Sequence, residues 1–104
     1  KRQRSRRVLI DWERTEPPLR LRTARPGDRF RPLGMKGTKK VGDYLTDRKV
    51  PRPIRDETLL LCDQRGPVWL LGYEIADRVK IDGRTRKVLS VVYRIRRQAL
   101  CETV

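Results

Sequence analysis

The side chains in this sequence that could act on a ligand are cations set among glycines, and they crowd into Arg25 to Pro51, RPGDRFRPLGMKGTKKVGDYLTDRKVP. Their chemistry is that of holding an anion rather than moving a proton. Gly34 and Gly37 flank Met35-Lys36, so the backbone there can approach a ligand closely. Thr38 is placed to cap a helix that begins at Lys39, which puts Lys39 and Lys40 in its first turn. Cations at that end oppose the helix dipole by about 0.3–1 kcal/mol each, whereas free N–H groups and two ammonium groups together would welcome a phosphate. The candidate phosphate-binding set is Arg29, Arg31, Lys36, Gly37, Thr38, Lys39 and Lys40. It continues through Arg48, Lys49, Arg52 and Arg55, a Pro-punctuated segment with no acid until Asp56. A solvated connection is the alternative for that second segment.

Catalysis finds no footing in the same residues. The chain has no histidine, which removes the commonest general base and metal ligand. The pattern G-x-x-x-x-G-K-[ST] cannot be aligned on Gly34 to Lys40, so a nucleotide-binding loop of that type is excluded. GMKG matches the GXXG of KH domains, but the surrounding helix pattern is absent. Asp43, Asp47 and Asp56 each lie within three residues of a cation and read as ordinary charge pairs or helix caps rather than as a metal cluster. Cys62 and Cys101 lack metal spacing and read as free thiols of a reducing compartment.

The elements that must position the cations can be read from local patterns. Arg25-Pro26-Gly27-Asp28 has the residues of a type II turn. Val41, Tyr44 and Leu45 fall at i, i+3 and i+4 and give an apolar stripe to a helix from about Thr38 to Asp47, which Gly42 weakens unless packing or a close backbone compensates. Leu19-Arg20-Leu21-Arg22 alternates as a strand with its leucines inward and its arginines outward. LLLC and VWLL, joined by Asp63-Gln64-Arg65-Gly66-Pro67, form a hairpin signal. Trp69 is its core anchor, and Tyr73 beyond Gly72 is expected to be exposed. Asp82-Gly83 marks a turn, and a β-branched strand follows around Val88 to Ile95. Ahead of these lie a cationic arm, Lys1 to Arg7, and a short edge strand at Val8 to Ile10 anchored by Trp12, before Pro17-Pro18 interrupts. The expected division is an arm or linker over residues 1–18 and a folded domain over 19–104, of α+β, β-rich class with a short helix packed on an antiparallel or mixed sheet.

The GDRF, PLG, KG-KK and DRK-VP elements, running into LLLCD and VWLLGYEIADR, make residues from about Leu19 to Tyr93 resemble the C-terminal domain of bacterial tRNA(Ile)-lysidine synthetase. The resemblance implies a compact β-rich module similar to one in the phenylalanyl-tRNA synthetase β subunit. It also implies a cytoplasmic enzyme in which a separate ATP-dependent catalytic domain attaches lysine to an anticodon cytidine while this domain helps to hold the tRNA. The Ser-Gly-Gly type pyrophosphate loop of such a ligase is not among these residues, and a start at Lys1 rather than Met fits an excised fragment. No cofactor is expected for this chain itself. ATP belongs to the catalytic domain, which with tRNA is an expected partner.

Charge distribution points the same way. The formal net charge is +14, and residues 1–55 hold 18 Lys and Arg against 6 Asp and Glu, whereas residues 56–104 hold 9 against 7. Such asymmetry suits a polyanion. No apolar run approaches the ~20 residues that span a membrane, and no amphipathic aromatic face accompanies the charge, so a membrane partner is not expected. With two Trp, three Tyr and one Phe, several of them in apolar runs, base stacking on exposed rings is poorly supplied. Phosphate and 2′-hydroxyl contacts to structured RNA are the form of binding that fits. A basic protein-contact module is the alternative of a different class.

Overall fold

The two apolar runs meet as expected. β5, Leu59–Asp63, pairs antiparallel with β6, Gly66–Leu70, and Gly66 takes the positive φ of 132° that the tight connection requires. Pro67 sits at the start of its strand, opposite Cys62, where the register shifts between Leu61 and Cys62. Such a bulge turns Cys62 and Asp63 both inward. These coordinates are a computed structural model, which describes residues 6–94. The expectations for the arm over 1–5, for Cys101 and for Ile95 fall outside that range.

β2, Arg20–Thr23, adds to the free edge of β5 and completes a three-stranded sheet in the order β2-β5-β6. Its facing departs from the alternation expected from sequence at Leu21 and Arg22, while Arg20 is exposed as expected and Leu19 is half-buried. Leu21 is 57% exposed, whereas Arg22 turns inward and donates two hydrogen bonds, both 2.9 Å, to the carboxylate of Asp28. A bidentate charge-assisted pair decides the face because it satisfies the guanidinium in a way that solvent exposure of Asp28 would forgo.

Two further ribbons flank this sheet. β1, Arg7–Asp11, pairs antiparallel with β7, Val88–Val92, so the edge strand expected from Val8 to Ile10 is present. Its anchor is Ile10, fully buried, not Trp12, which begins a 3₁₀ turn and stays 37% exposed. β3, Arg29–Phe30, pairs with β4, Lys39–Lys40, in the register Arg29 to Lys40 and Phe30 to Lys39. That pairing corrects the expected helix boundary: α1 runs Val41–Asp47, so Lys39 and Lys40 are not in its first turn and Thr38 is not its cap. The reason is backbone pairing. The Arg25 turn closes with a bond from Asp28 N–H to the Arg25 carbonyl and Gly27 at φ 92°, and the Asp28 carbonyl then accepts the Val41 N–H at 2.9 Å.

The helix nevertheless presents the expected stripe, with Val41, Tyr44 and Leu45 all buried. They join Trp69, Leu60, Leu70, Val68 and Ile10 in one core. Phe30 meets Tyr44 edge-on with ring centroids 5.2 Å apart, which contributes about 0.5–1.5 kcal/mol beyond area alone. Tyr73 is half-buried against the same core rather than exposed, because its carbonyl accepts the Trp69 indole N–H at 3.2 Å and fixes the turn after β6. A second short helix, α2, spans Arg52–Arg55 after Pro51. The result is a small α+β, sheet-rich fold.

Candidate nucleic-acid interface

The glycine-bearing loop between β3 and β4 is held in place by a carboxylate distant in sequence. Pro32 bridges to Ala76, Leu33 N–H donates to the Ile75 carbonyl at 3.1 Å and Asp77 N–H donates to the Arg31 carbonyl at 2.8 Å. The buried Asp77 side chain accepts the Gly34 N–H at 2.9 Å and faces Arg31 at 3.1 Å and Lys80 at 3.5 Å. The Gly34 bond, ahead of the two cations and against the cost of burial, holds its carboxyl below the usual aspartate range. Gly34 itself turns the chain at φ 82°, with Met35 N–H donating to the Pro32 carbonyl. Arg31 also donates from Nε to the Met35 carbonyl at 2.7 Å. This arginine is therefore partly spent on shaping the loop.

The remaining candidates divide into occupied and open cations. Lys36 and Gly37 are exposed at the loop tip, and Thr38 accepts from Arg29 Nη2 at 3.3 Å. Lys39 is half-buried and forms an ion pair with Asp47. Arg48 lies 3.9 Å from the centroid of the Tyr44 ring and 4.0 Å from Glu74. It closes the C-terminus of α1 more than it offers charge to a ligand. Lys49 holds a positive φ of 60° as the chain leaves the helix. Arg55 Nη1 donates to the Val50 carbonyl at 3.1 Å, leaving the rest of its guanidinium available. Among the described residues no carboxylate lies within 4.0 Å of Arg29, Lys36, Lys40, Lys49, Arg52 or Arg55, whereas each buried aspartate, Asp11, Asp63 and Asp77, already has a cation.

The fold also brings the two candidate segments together at one place. Lys40 and Arg55 line a cleft of about 440 Å³ with Arg25, and Asp43 and Asp56 share it. Sequence reasoning left Arg25 out of the site, although its position in the type II turn marks it as exposed. It also left out Arg65, which lines one cleft with Arg20 and has no local signal. Among the described aromatics only Trp12 is exposed; Trp69, Tyr44 and Phe30 are buried, and Tyr93 packs on Trp69 at 5.6 Å between ring centroids. No group of three or more His, Cys, Asp or Glu side chains among the described residues is placed to hold a metal ion.

A family model described as the TilS substrate C-terminal domain matches residues 19–93. The chain belongs to that family. Its relatives include the tRNA(Ile)-lysidine synthase of Symbiobacterium thermophilum, 44% identical over 89 residues that cover 86% of this chain and 18% of that protein. The tRNA(Ile)-lysidine synthase of Parabacteroides distasonis is 42% identical over 84 residues, 81% of this chain and 19% of the relative. The chain thus spans less than a fifth of the length of either. A crystal structure of a TilS C-terminal domain is similar to it with a TM-score of 0.69 and 26% identity, over 91% of this chain and 76% of that one. An N-terminal fragment of the phenylalanyl-tRNA synthetase β subunit from Pyrococcus horikoshii shares the fold at a TM-score of 0.69 and 18% identity, over 81% of this chain and 26% of that one. The family model begins at Leu19, while the fold described here extends back to β1, whose Ile10 is part of the core.

Proposed function

We propose that this chain is a non-catalytic module that holds tRNA through its backbone phosphates for a separate ATP-dependent part of a tRNA(Ile)-lysidine synthase. The observation that carries the reading is the split in electrostatics. Every buried aspartate is neutralised within the fold, while Arg29, Lys36, Lys40, Lys49, Arg52 and Arg55 keep their charge for a partner. Family membership favours tRNA as that partner, since the relatives are named for a tRNA-modifying reaction. Buried aromatics favour contact with phosphates and 2′-hydroxyls over stacking on unpaired bases. ATP, in this reading, is bound elsewhere in such an enzyme.

A second reading has its own observation. The outward face of the β1-β7 ribbon exposes Leu9 at 49%, Val88 at 53% and Val92 at 47%, beside Trp12. Contact with the rest of a lysidine synthase would cover that face and would need no RNA. Competition separates the two. Labelled tRNA bound to the chain is challenged with unlabelled tRNA or with heparin at equal phosphate or sulfate concentration and fixed salt. A tRNA-holding module should retain a preference of at least about tenfold, some 1.4 kcal/mol, for the tRNA competitor. Equal displacement by both would favour the contact reading.

A further inference from the structure

We propose that the cleft between β2 and the β5-β6 turn is a second subsite for RNA phosphates, joined through Arg25 to the Lys40 and Arg55 cleft as one cationic track. The inference rests on the RNA-holding function proposed above but concerns residues outside the β3-β4 loop. The cleft has a volume of about 470 Å³, and its lining includes Arg20, Arg22, Arg25 and Arg65 over the buried Cys62.

The local charge balance decides what it can take. Arg22 is consumed by its bidentate pair with Asp28. Asp63, the acid in the lining, is consumed by Arg78, which reaches both of its oxygens at 2.9 and 2.8 Å. Burial raises the Cys62 thiol above its ordinary range, so it adds no negative charge at neutral pH. Among the described residues no carboxylate is within 4.0 Å of Arg20 or Arg25, and Arg65 has only Glu16 at 3.6 Å, both more than half exposed. Solvent screening makes such a pair worth little. An anion is the counter-charge this arrangement lacks.

Continuity argues for a polyanion rather than a lone phosphate. Arg25 lines both this cleft and the one holding Lys40 and Arg55. Arg20 and Arg25 are five residues apart on an extended segment, at most about 17 Å at ~3.4 Å per residue. Several successive backbone phosphates would be needed to cover that length, and a single strand of RNA supplies them. The guanidinium groups also suit phosphate geometry, since each can donate two parallel bonds.

The test compares Arg20→Gln/Arg25→Gln/Arg65→Gln with a charge-matched control, Arg84→Gln/Arg86→Gln/Lys87→Gln, whose residues line neither cleft. Binding of a tRNA transcript to the 104-residue chain is measured from 50 to 200 mM salt. The track variant should lose about two to three units of salt slope and at least tenfold in affinity at 100 mM salt, and the control should lose less than about threefold. Arg25→Gln alone, which removes a side chain with no hydrogen bond in the described fold, should lower the slope by about one at an unchanged melting temperature. Arg25→Lys should retain it. Steep wild-type binding with equal losses in the track and control variants would overturn the subsite and leave the proposed function standing. Wild-type chain that fails to bind tRNA at 50 mM salt would overturn both.

Discussion

Asp63 has no exposed side-chain surface, and its carboxylate gathers the hairpin turn, the segment after β1 and the 3₁₀ turn at Asp77–Val79 onto one group. It accepts the N–H of Glu16 at 2.9 Å and of Arg65 at 2.8 Å, besides both bonds from Arg78. Burial pushes its carboxyl up, but the Arg78 bonds and the backbone donors together outweigh that and hold it below its ordinary value. A carboxyl lowered on folding adds stability above its unfolded value of about 3.9, and that stability is lost as pH falls through the lowered folded value. Arg78→Ala should therefore cost about 3 kcal/mol at pH 7 in urea unfolding, because it strands a buried charge. The loss should shrink below about pH 4. A loss under about 1 kcal/mol at pH 7, or one independent of pH, would contradict this role. None of it was legible in sequence, where Asp63 reads only as a turn residue and Arg78 carries no signal of its own. A long-range pair between two such residues has no periodicity to reveal it. The inward Arg22 was misread for the same reason, its partner Asp28 being reached across the turn.

Among the elements, those set by local chemistry were the legible ones. The Pro26-Gly27 turn, the Asp63 to Gly66 hairpin and the Val41, Tyr44, Leu45 stripe each follow from φ preferences or a 3.6-residue period, and each is present. The start of α1 was not legible, because Lys39 and Lys40 are claimed by β3 through a pairing that only the preceding turn makes possible. With those lysines outside the helix, the supposed conflict between charge and helix dipole disappears. Asp43 in the first turn matches the dipole, although the cap position, Lys40, offers no side-chain bond. Gly42 has a corresponding simple account. A Cβ built there would meet nothing within 4 Å, and its φ is not in the positive region, so no close backbone explains it. Gly42→Ala should raise stability by about 1 kcal/mol, or roughly 4–8 °C in melting temperature for a chain of this size. Thermal unfolding that shows no gain, or a loss, would contradict this account of the glycine.

For the molecule as a whole, the sequence conveyed the charge asymmetry but not its sorting. Folding separates the cations into those paired with a carboxylate, such as Arg78, Arg22 and Lys39, and those that stay open, and in the proposed reading the open group meets the RNA. The open group is also wider than the β3-β4 loop and the Arg48 to Arg55 segment suggested, since β2 and the hairpin turn bring Arg20 and Arg65 beside Arg25. The central claim is that these open cations bind RNA through its phosphates. It is tested most directly by the affinity of the wild-type chain for tRNA as salt rises from 50 to 200 mM. If about six phosphates are neutralised, affinity should fall on the order of 10³-fold, linearly in log–log form, because binding releases condensed counterions. Binding that changes by less than about threefold over that range would contradict the claim.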